Sequence, residues 1–159
     1  MIDVRKLREE DRQIIYDWPT YPPDCLELDY AVRKDGWIDH HAEHDNDRIY
    51  SAIEGNEVVG FSIVHIADDG DAELLIAMRG DRLGRGLGKE LALATLHRCF
   101  GELCLTRVEL VVRKSNQRAK RLYGRIGFTY TGDCIINING EDIEFDKMEM
   151  ENRGTSHSD

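Results

Sequence analysis

The chain has 159 residues, 41% hydrophobic and 33% charged, with a formal net charge of −10. That length fits one domain with a core of its own. No apolar run reaches membrane-span or signal-core length, and the acidic balance argues against a nucleic-acid partner. The charge is unevenly placed: −12 over residues 1–75, +8 over 76–125 and −6 over 126–159. An anion is therefore expected on the middle segment and a cation elsewhere. Cys25, Cys99, Cys104 and Cys134 form no CxxC pair; they read as free, reduced thiols of a cytoplasmic protein.

Taken in order, Ile2–Leu7 reads as a strand, and Glu9–Trp18 as a helix with acidic residues in its first turn and Pro19 as its stop. Tyr21-Pro22-Pro23 is an extended connection. Asp24 is the expected N-cap of a second helix running to about Lys34, with Glu27 as capping-box partner and Gly36 as its end. Trp37–Asp47 is irregular. His40 and His44 lie four apart, on one face if helical, and His41 is beside them, but no second ligand pair accompanies them. The expectation is a histidine-rich surface loop and no metal.

Asp47–Glu54 and Glu57–Ile66 are strands joined by a tight turn at Gly55-Asn56. The acidic turn Asp68–Asp71 leads to the strand Glu73–Met78. A helix follows to Phe100, then the apolar strand Arg107–Arg113, the helix Asn116–Ile126 ended by Gly127, and a closing hairpin turning at Asn139-Gly140. The pattern β-α-α-β-β-β-α-β-α-β-β implies one α/β (α+β) domain over 1–153. About seven strands form a mixed sheet with about four helices, and 154–159 is a disordered tail.

Between the strand ending at Met78 and the next helix lies RGDRLGRGLGKE, with alternating Gly84, Gly86 and Gly88 and the cations Arg79, Arg82, Arg85 and Lys89. A glycine turn at a helix start presents unpaired N–H groups at the positive end of the helix dipole, which suits a pyrophosphate. Spacing removes two cradles. A P-loop requires glycine where Leu83 stands and Ser or Thr where Glu90 stands; a dinucleotide turn requires glycine at Lys89.

Gly86-Leu87-Gly88 matches the second half of the acetyl-CoA turn [QR]-x-x-G-x-[GA], with Leu83 in the leading Arg/Gln slot. After the next strand come Asn116, Ala119, Leu122-Tyr123 and Gly127-Phe128, spaced N-x-x-A-x-x-L-Y-x-x-x-G-F. In this order the two segments resemble the GCN5-related N-acetyltransferase (GNAT) superfamily. The resemblance implies a single GNAT-like domain and acetyl-CoA as co-substrate, its thioester attacked directly by an amine. It implies a pyrophosphate held by the backbone from Leu83 through Gly84, Arg85, Gly86, Leu87 and Gly88 to Lys89. The pantetheine arm would run along Ile76, Ala77 and Met78, and Asn116 would contact it. Tyr123 would be the acid for the departing thiolate; packing alone is its other reading, and helix capping that of Asn116. Glu109, an acid within an apolar strand, and Glu73 are both candidates for the general base.

The N-terminal acids Asp24, Glu27, Asp29, Asp39, Glu43 and Asp45, with Tyr21, Tyr30 and Trp37, suit a cationic acceptor. The expected substrate is a polyamine, an aminoglycoside-like amine or a protein amine, with no nucleic-acid or membrane partner and a homodimer as an open alternative. The rival reading is a non-catalytic acyl-CoA-binding or sensing domain of the same fold.

Overall fold

A computed structural model describes residues 1–67 and 69–152. Asp68 and the expected 154–159 tail lie outside the described residues. The elements are β1 (Asp3–Lys6), α1 (Glu9–Tyr16), a 3-10 run (Pro23–Val32), α2 (Trp37–His41), β2 (Asp47–Glu54), β3 (Glu57–Ile66), β4 (Asp71–Met78), a short 3-10 turn (Gly80–Arg82), α3 (Leu87–Phe100), β5 (Arg107–Arg113), α4 (Gln117–Ile126), β6 (Thr129–Ile138) and β7 (Glu141–Glu151). They form a single α/β domain with one mixed sheet, in the order β1-β2-β3-β4-β5-β7-β6. Neighbours are antiparallel except β4 and β5. No described helix is long and apolar enough to cross a membrane.

Alternation along the strands makes two cores. On one face, Leu74, Val108, Leu110 and Val112 pack with Leu96, Cys99 and Phe128 beneath α3 and α4. On the other, Phe61 and Ile63 meet Ile15, Trp18, Val32 and Ile38 from the N-terminal helices. Both faces of β3 are thus covered, which is why its sequence runs almost without polar breaks. Each fully buried side chain of this size contributes about 1.5–3 kcal/mol through burial. The buried hydroxyls of Ser62 and Thr95 bond each other at 2.8 Å across β3 and α3. Both predicted hairpin turns form with positive φ at their two central residues, Gly55-Asn56 and Asn139-Gly140.

Two local expectations are corrected. The segment from Asp24 is not an α-helix: it forms 3-10 turns, kinked at Cys25 (φ −130°, ψ 19°), and Asp24 does not cap it. Adjacent Pro22 and Pro23 fix the entry, leaving no free cap position ahead of Asp24. Gly36 does not terminate that segment but precedes a short helix, α2, within the stretch expected to be irregular. A Cβ at Gly36 would lie 2.6–2.7 Å from the carbonyl oxygens of Tyr30, Ala31 and Arg33, so this corner admits no side chain.

Candidate active site

The site begins where the sheet splits. β4 and β5 pair only through Asp71↔Arg107, Ala72↔Val108 and Glu73↔Glu109. β4 then continues to Met78 against β3, and β5 to Arg113 against β7, so their facing edges diverge. Arg79 N–H donates to the Val59 carbonyl at 2.8 Å. Counting back through the antiparallel alternation, Ala77 spends its backbone groups on β3, while those of Ile76 and Met78 point into the opening. The Met78 carbonyl accepts from the Tyr21 hydroxyl, which closes one end of the exposed edge. Of the three β4 residues named from sequence, Ile76 therefore offers its N–H and carbonyl and Met78 its N–H alone; Ala77 contributes surface only.

A cleft of about 320 Å³ occupies the opening. Its walls include Ile76, Ala77, Met78, Leu83 and Gly88 on the β4–α3 side, Asn116 and Tyr123 on the α4 side, and Asp24, Glu27, Tyr30 and Trp37 from the N-terminal segment.

At its α3 mouth, Gly84 (φ 79°) and Gly86 (φ 80°) take the left-handed conformation that their missing Cβ permits. Gly86 is the N-cap of the 14-residue α3 and no side chain caps the helix, so the N–H groups of Leu87, Gly88 and Lys89 have no intrahelical acceptor. The cations around the turn are not equivalent. Arg82 is bound to Glu57 (2.6 Å) and Glu54 (3.4 Å), and Arg79 to Asp81 (2.8 Å). Arg85 and Lys89 have no ion pair among the described residues. Leu83 is half-buried, packed against the apolar clusters, and lines the cleft with carbon rather than charge.

On α4, Asn116 caps its own helix, its Oδ1 accepting from Ala119 N–H at 3.1 Å, and it also lines the cleft. Tyr123 stacks edge-on against Phe128 with centroids 5.7 Å apart, and its hydroxyl has no hydrogen-bond partner among the described residues. Burial pushes its phenol up to about 12, so the proton is retained at neutral pH. Lys120 is tied to Asp146 at 3.2 Å, whereas Arg118 and Arg121 on the same helix have no ion pair among the described residues.

Glu73 and Glu109 come together as the last register pair before the split. They line a separate hollow of about 210 Å³ with His65 and Lys147, and neither lines the cleft that holds Tyr123. The N-terminal acids also separate. Asp24 and Glu27 line the cleft; Asp29 is clamped by Arg33 (2.7 and 2.9 Å), and Asp39 by Arg12 (2.8 Å) and the Tyr16 hydroxyl. The three predicted aromatics, Tyr21, Tyr30 and Trp37, all reach the cleft. Ser115, Gln117 and Cys25 line it too; no spacing rule singles them out, because a kink and a helix entry put them there.

The sequence matches the model of the Acetyltransferase (GNAT) family over residues 3–128. No curated protein matches it. Among solved structures, the spermidine/spermine N-acetyltransferase SpeG from Vibrio cholerae is similar at a TM-score of 0.77 and 19% identity, covering 99% of each chain. A GNAT-family acetyltransferase from Streptococcus pneumoniae is similar at a TM-score of 0.71 and 21% identity, covering 95% of this chain and 99% of that one. At such identities the likeness is one of fold. The family match over most of the chain, the split sheet and the glycine turn at its mouth agree: the chain belongs to the GNAT acetyltransferase family, the acetyl-CoA-dependent N-acyltransferases.

Proposed function

We propose that this chain transfers the acetyl group of acetyl-CoA to a primary amine on a cationic small molecule of the polyamine class. One observation carries the reading: a single cleft through the split sheet has unpaired cations and helix N–H groups at one mouth, and carboxylates with aromatics on the opposite wall. The first suits a pyrophosphate. The second, Asp24 and Glu27 with Tyr30 and Trp37, suits an ammonium group through ion pairing and cation–π attraction. The spermidine acetyltransferase fold of the Vibrio cholerae neighbour supports the same class.

The residues present fit the donor. Leu87, Gly88 and Lys89 N–H groups with Arg85 would hold the pyrophosphate, and the Ile76–Met78 edge would align the pantetheine arm. Acetyl-CoA supplies the activated acyl carbon. The Ile76 or Met78 N–H would donate to the oxygen that gains charge on attack. Tyr123 holds the proton that the leaving sulfur requires, and desolvation in the cleft moves phenol and thiol in the same direction. For removal of the amine proton the candidates are Glu73 or Glu109; from outside the cleft, either would act only through solvent linking its hollow to the cleft.

The test is thiol release from acetyl-CoA against an amine panel. Turnover with spermidine or spermine, and little with neutral or anionic amines, is expected. Turnover restricted to neutral or anionic amines would overturn the acceptor assignment. Tight CoA binding without turnover on any amine would favour the non-catalytic acyl-CoA-binding reading, for which the apolar Leu83 and the position of Glu73 and Glu109 outside the cleft are the observations in favour.

A further inference from the structure

Four of the six histidines, His40, His41, His44 and His65, gather on the side of the sheet where β2 begins and β3 ends. The sequence shows the first three but no second ligand pair; the register supplies it, by setting Asp47 of β2 directly opposite His65 of β3. The Asp47 side chain is 1% exposed. Its Oδ2 meets His41 Nδ1 at 2.6 Å and its Oδ1 meets His65 Nδ1 at 2.6 Å. No lysine or arginine pairs with this buried carboxylate among the described residues: the neighbouring Arg48 turns to the backbone carbonyls of Asp45 and Asp47 instead. A buried carboxylate needs its charge matched locally, and here each of its oxygens is met by an imidazole, with Lys6 and Arg48 lining the same hollow without pairing to it.

We propose that His41, Asp47 and His65 form a site for a borderline divalent transition metal of the zinc class, with His44 as the fourth ligand. The donor atoms of the first three lie within 4.8 Å of one another. Bonds of about 2.0–2.2 Å to a tetrahedral ion set ligand atoms roughly 3.4 Å apart, a separation within the 4.8 Å that encloses the three donors and wider than the 2.6 Å hydrogen bonds the ion would replace. The His44 ring lies 6.3 Å from both the His41 and His65 rings, centroid to centroid, and those two are 5.4 Å apart. Three imidazoles around one ion have centroids separated by about 5–6 Å, so the His44 ring, outside the preassembled three, has to close in to complete the set. Imidazole-rich donors with one carboxylate select zinc, copper or nickel over magnesium or calcium, which prefer oxygen alone.

The ion would bind α2 to β2 and β3. Because α2 begins at Trp37, on the cleft wall, and ends at His41, metal binding would fix the wall that faces the amine. Metal binding itself does not depend on which amine is acetylated.

The experiment is zinc titration of the full chain, free of any affinity tag, by calorimetry, with cobalt as a spectroscopic substitute. One equivalent should bind, cobalt should give the intense visible bands of a tetrahedral site, and the thermal midpoint should stop rising at one equivalent. His65→Asn keeps a side-chain donor for Asp47 while removing the imidazole, and should weaken zinc binding by about 100-fold or more. The exposed His97 on α3 is remote from the cluster, and His97→Asn should bind as the parent does. Absence of saturable zinc binding, or equal affinity in the parent and His65→Asn, would overturn the site. So would loss of affinity in His97→Asn as large as in His65→Asn.

Discussion

The two walls of the cleft are held by different forces. The β4–α3–β5–α4 wall is set by backbone: a seven-strand ladder, a fourteen-residue helix, two left-handed glycines and an apolar cluster. The wall built from residues 8 to 41 has short helical pieces and is held largely by side chains. Arg33 alone donates to the Tyr16 carbonyl (2.9 Å), the Trp18 carbonyl (2.7 Å) and both oxygens of Asp29. Arg12 and Tyr16 meet on Asp39, and the buried Asp11 is bound by Arg5 at 2.5 and 3.1 Å. A ladder depends on the chain's period; a network of single contacts depends on particular residues far apart in sequence. The first wall tolerates surface change, whereas the second is exposed to any substitution at its arginines.

The largest effect should come from the backbone-set wall, at the side chain there that lines the cleft and carries a transferable proton. Tyr123→Phe keeps the ring against Phe128 and removes the unpartnered hydroxyl. Thiol release should fall by about 100-fold or more in kcat, while acetyl-CoA affinity stays within about twofold. Unchanged kcat would reduce Tyr123 to packing and leave the proton for the sulfur unassigned.

The side-chain network should yield next. Arg33→Met leaves the Tyr16 and Trp18 carbonyls without their donor and should cost about 2–3 kcal/mol in chemical denaturation. Acid should act on the same region. Asp29 is held below the usual carboxylate range by Arg33; Asp11 and Asp39 are pushed up by burial but pulled lower overall by their hydrogen bonds. Their stabilising contribution is complete above the ordinary carboxylate range and is lost as pH falls through their depressed values. Amide exchange on acidification should therefore lose protection in residues 8–41 before the β3–β5 ladder. Simultaneous loss in both would erase the distinction between the walls.

That distinction also decides what the sequence made legible. Period and turn chemistry reveal all seven strands and both long helices, because Gly55-Asn56, Asn139-Gly140 and the apolar run within Arg107–Arg113 are local signals. The glycine turn and the Asn116–Phe128 spacing likewise point to acetyl-CoA from contiguous residues. The pieces that mislead are non-local. Arg82 reads as a phosphate ligand until Glu54 and Glu57, some 25 residues earlier, claim it across the β2–β3 hairpin. Asp29 and Asp39 read as substrate acids until Arg33 and Arg12 neutralise them. The 3-10 run follows from proline geometry that a capping pattern at Asp24 conceals.

Sorting acids by partner gives a more modest prediction. Glu27→Gln and Asp24→Asn should each raise the amine KM by roughly tenfold with kcat nearly intact, whereas Glu43→Gln, away from the cleft, should leave it unchanged. A larger effect from Glu43→Gln than from Glu27→Gln would move the ammonium site elsewhere.

The smallest expected effect separates two arginines that sequence alone treats as equals. Arg85 has no ion pair among the described residues and stands between the two left-handed glycines, free to meet a phosphate. Arg82 is bound to two carboxylates, and freeing it for a ligand means breaking both contacts. Arg85→Ala should weaken acetyl-CoA binding by a few-fold, about 0.5–1 kcal/mol for one exposed charge at a helix N-terminus, and the loss should shrink as salt is added. Arg82→Ala should leave that affinity unchanged and instead loosen the β2–β3 turn, where Glu54 and Glu57 lose their shared partner. Equal losses of affinity would mean that Arg82 leaves its carboxylates when CoA arrives, and that this turn, too, is assembled by side chains.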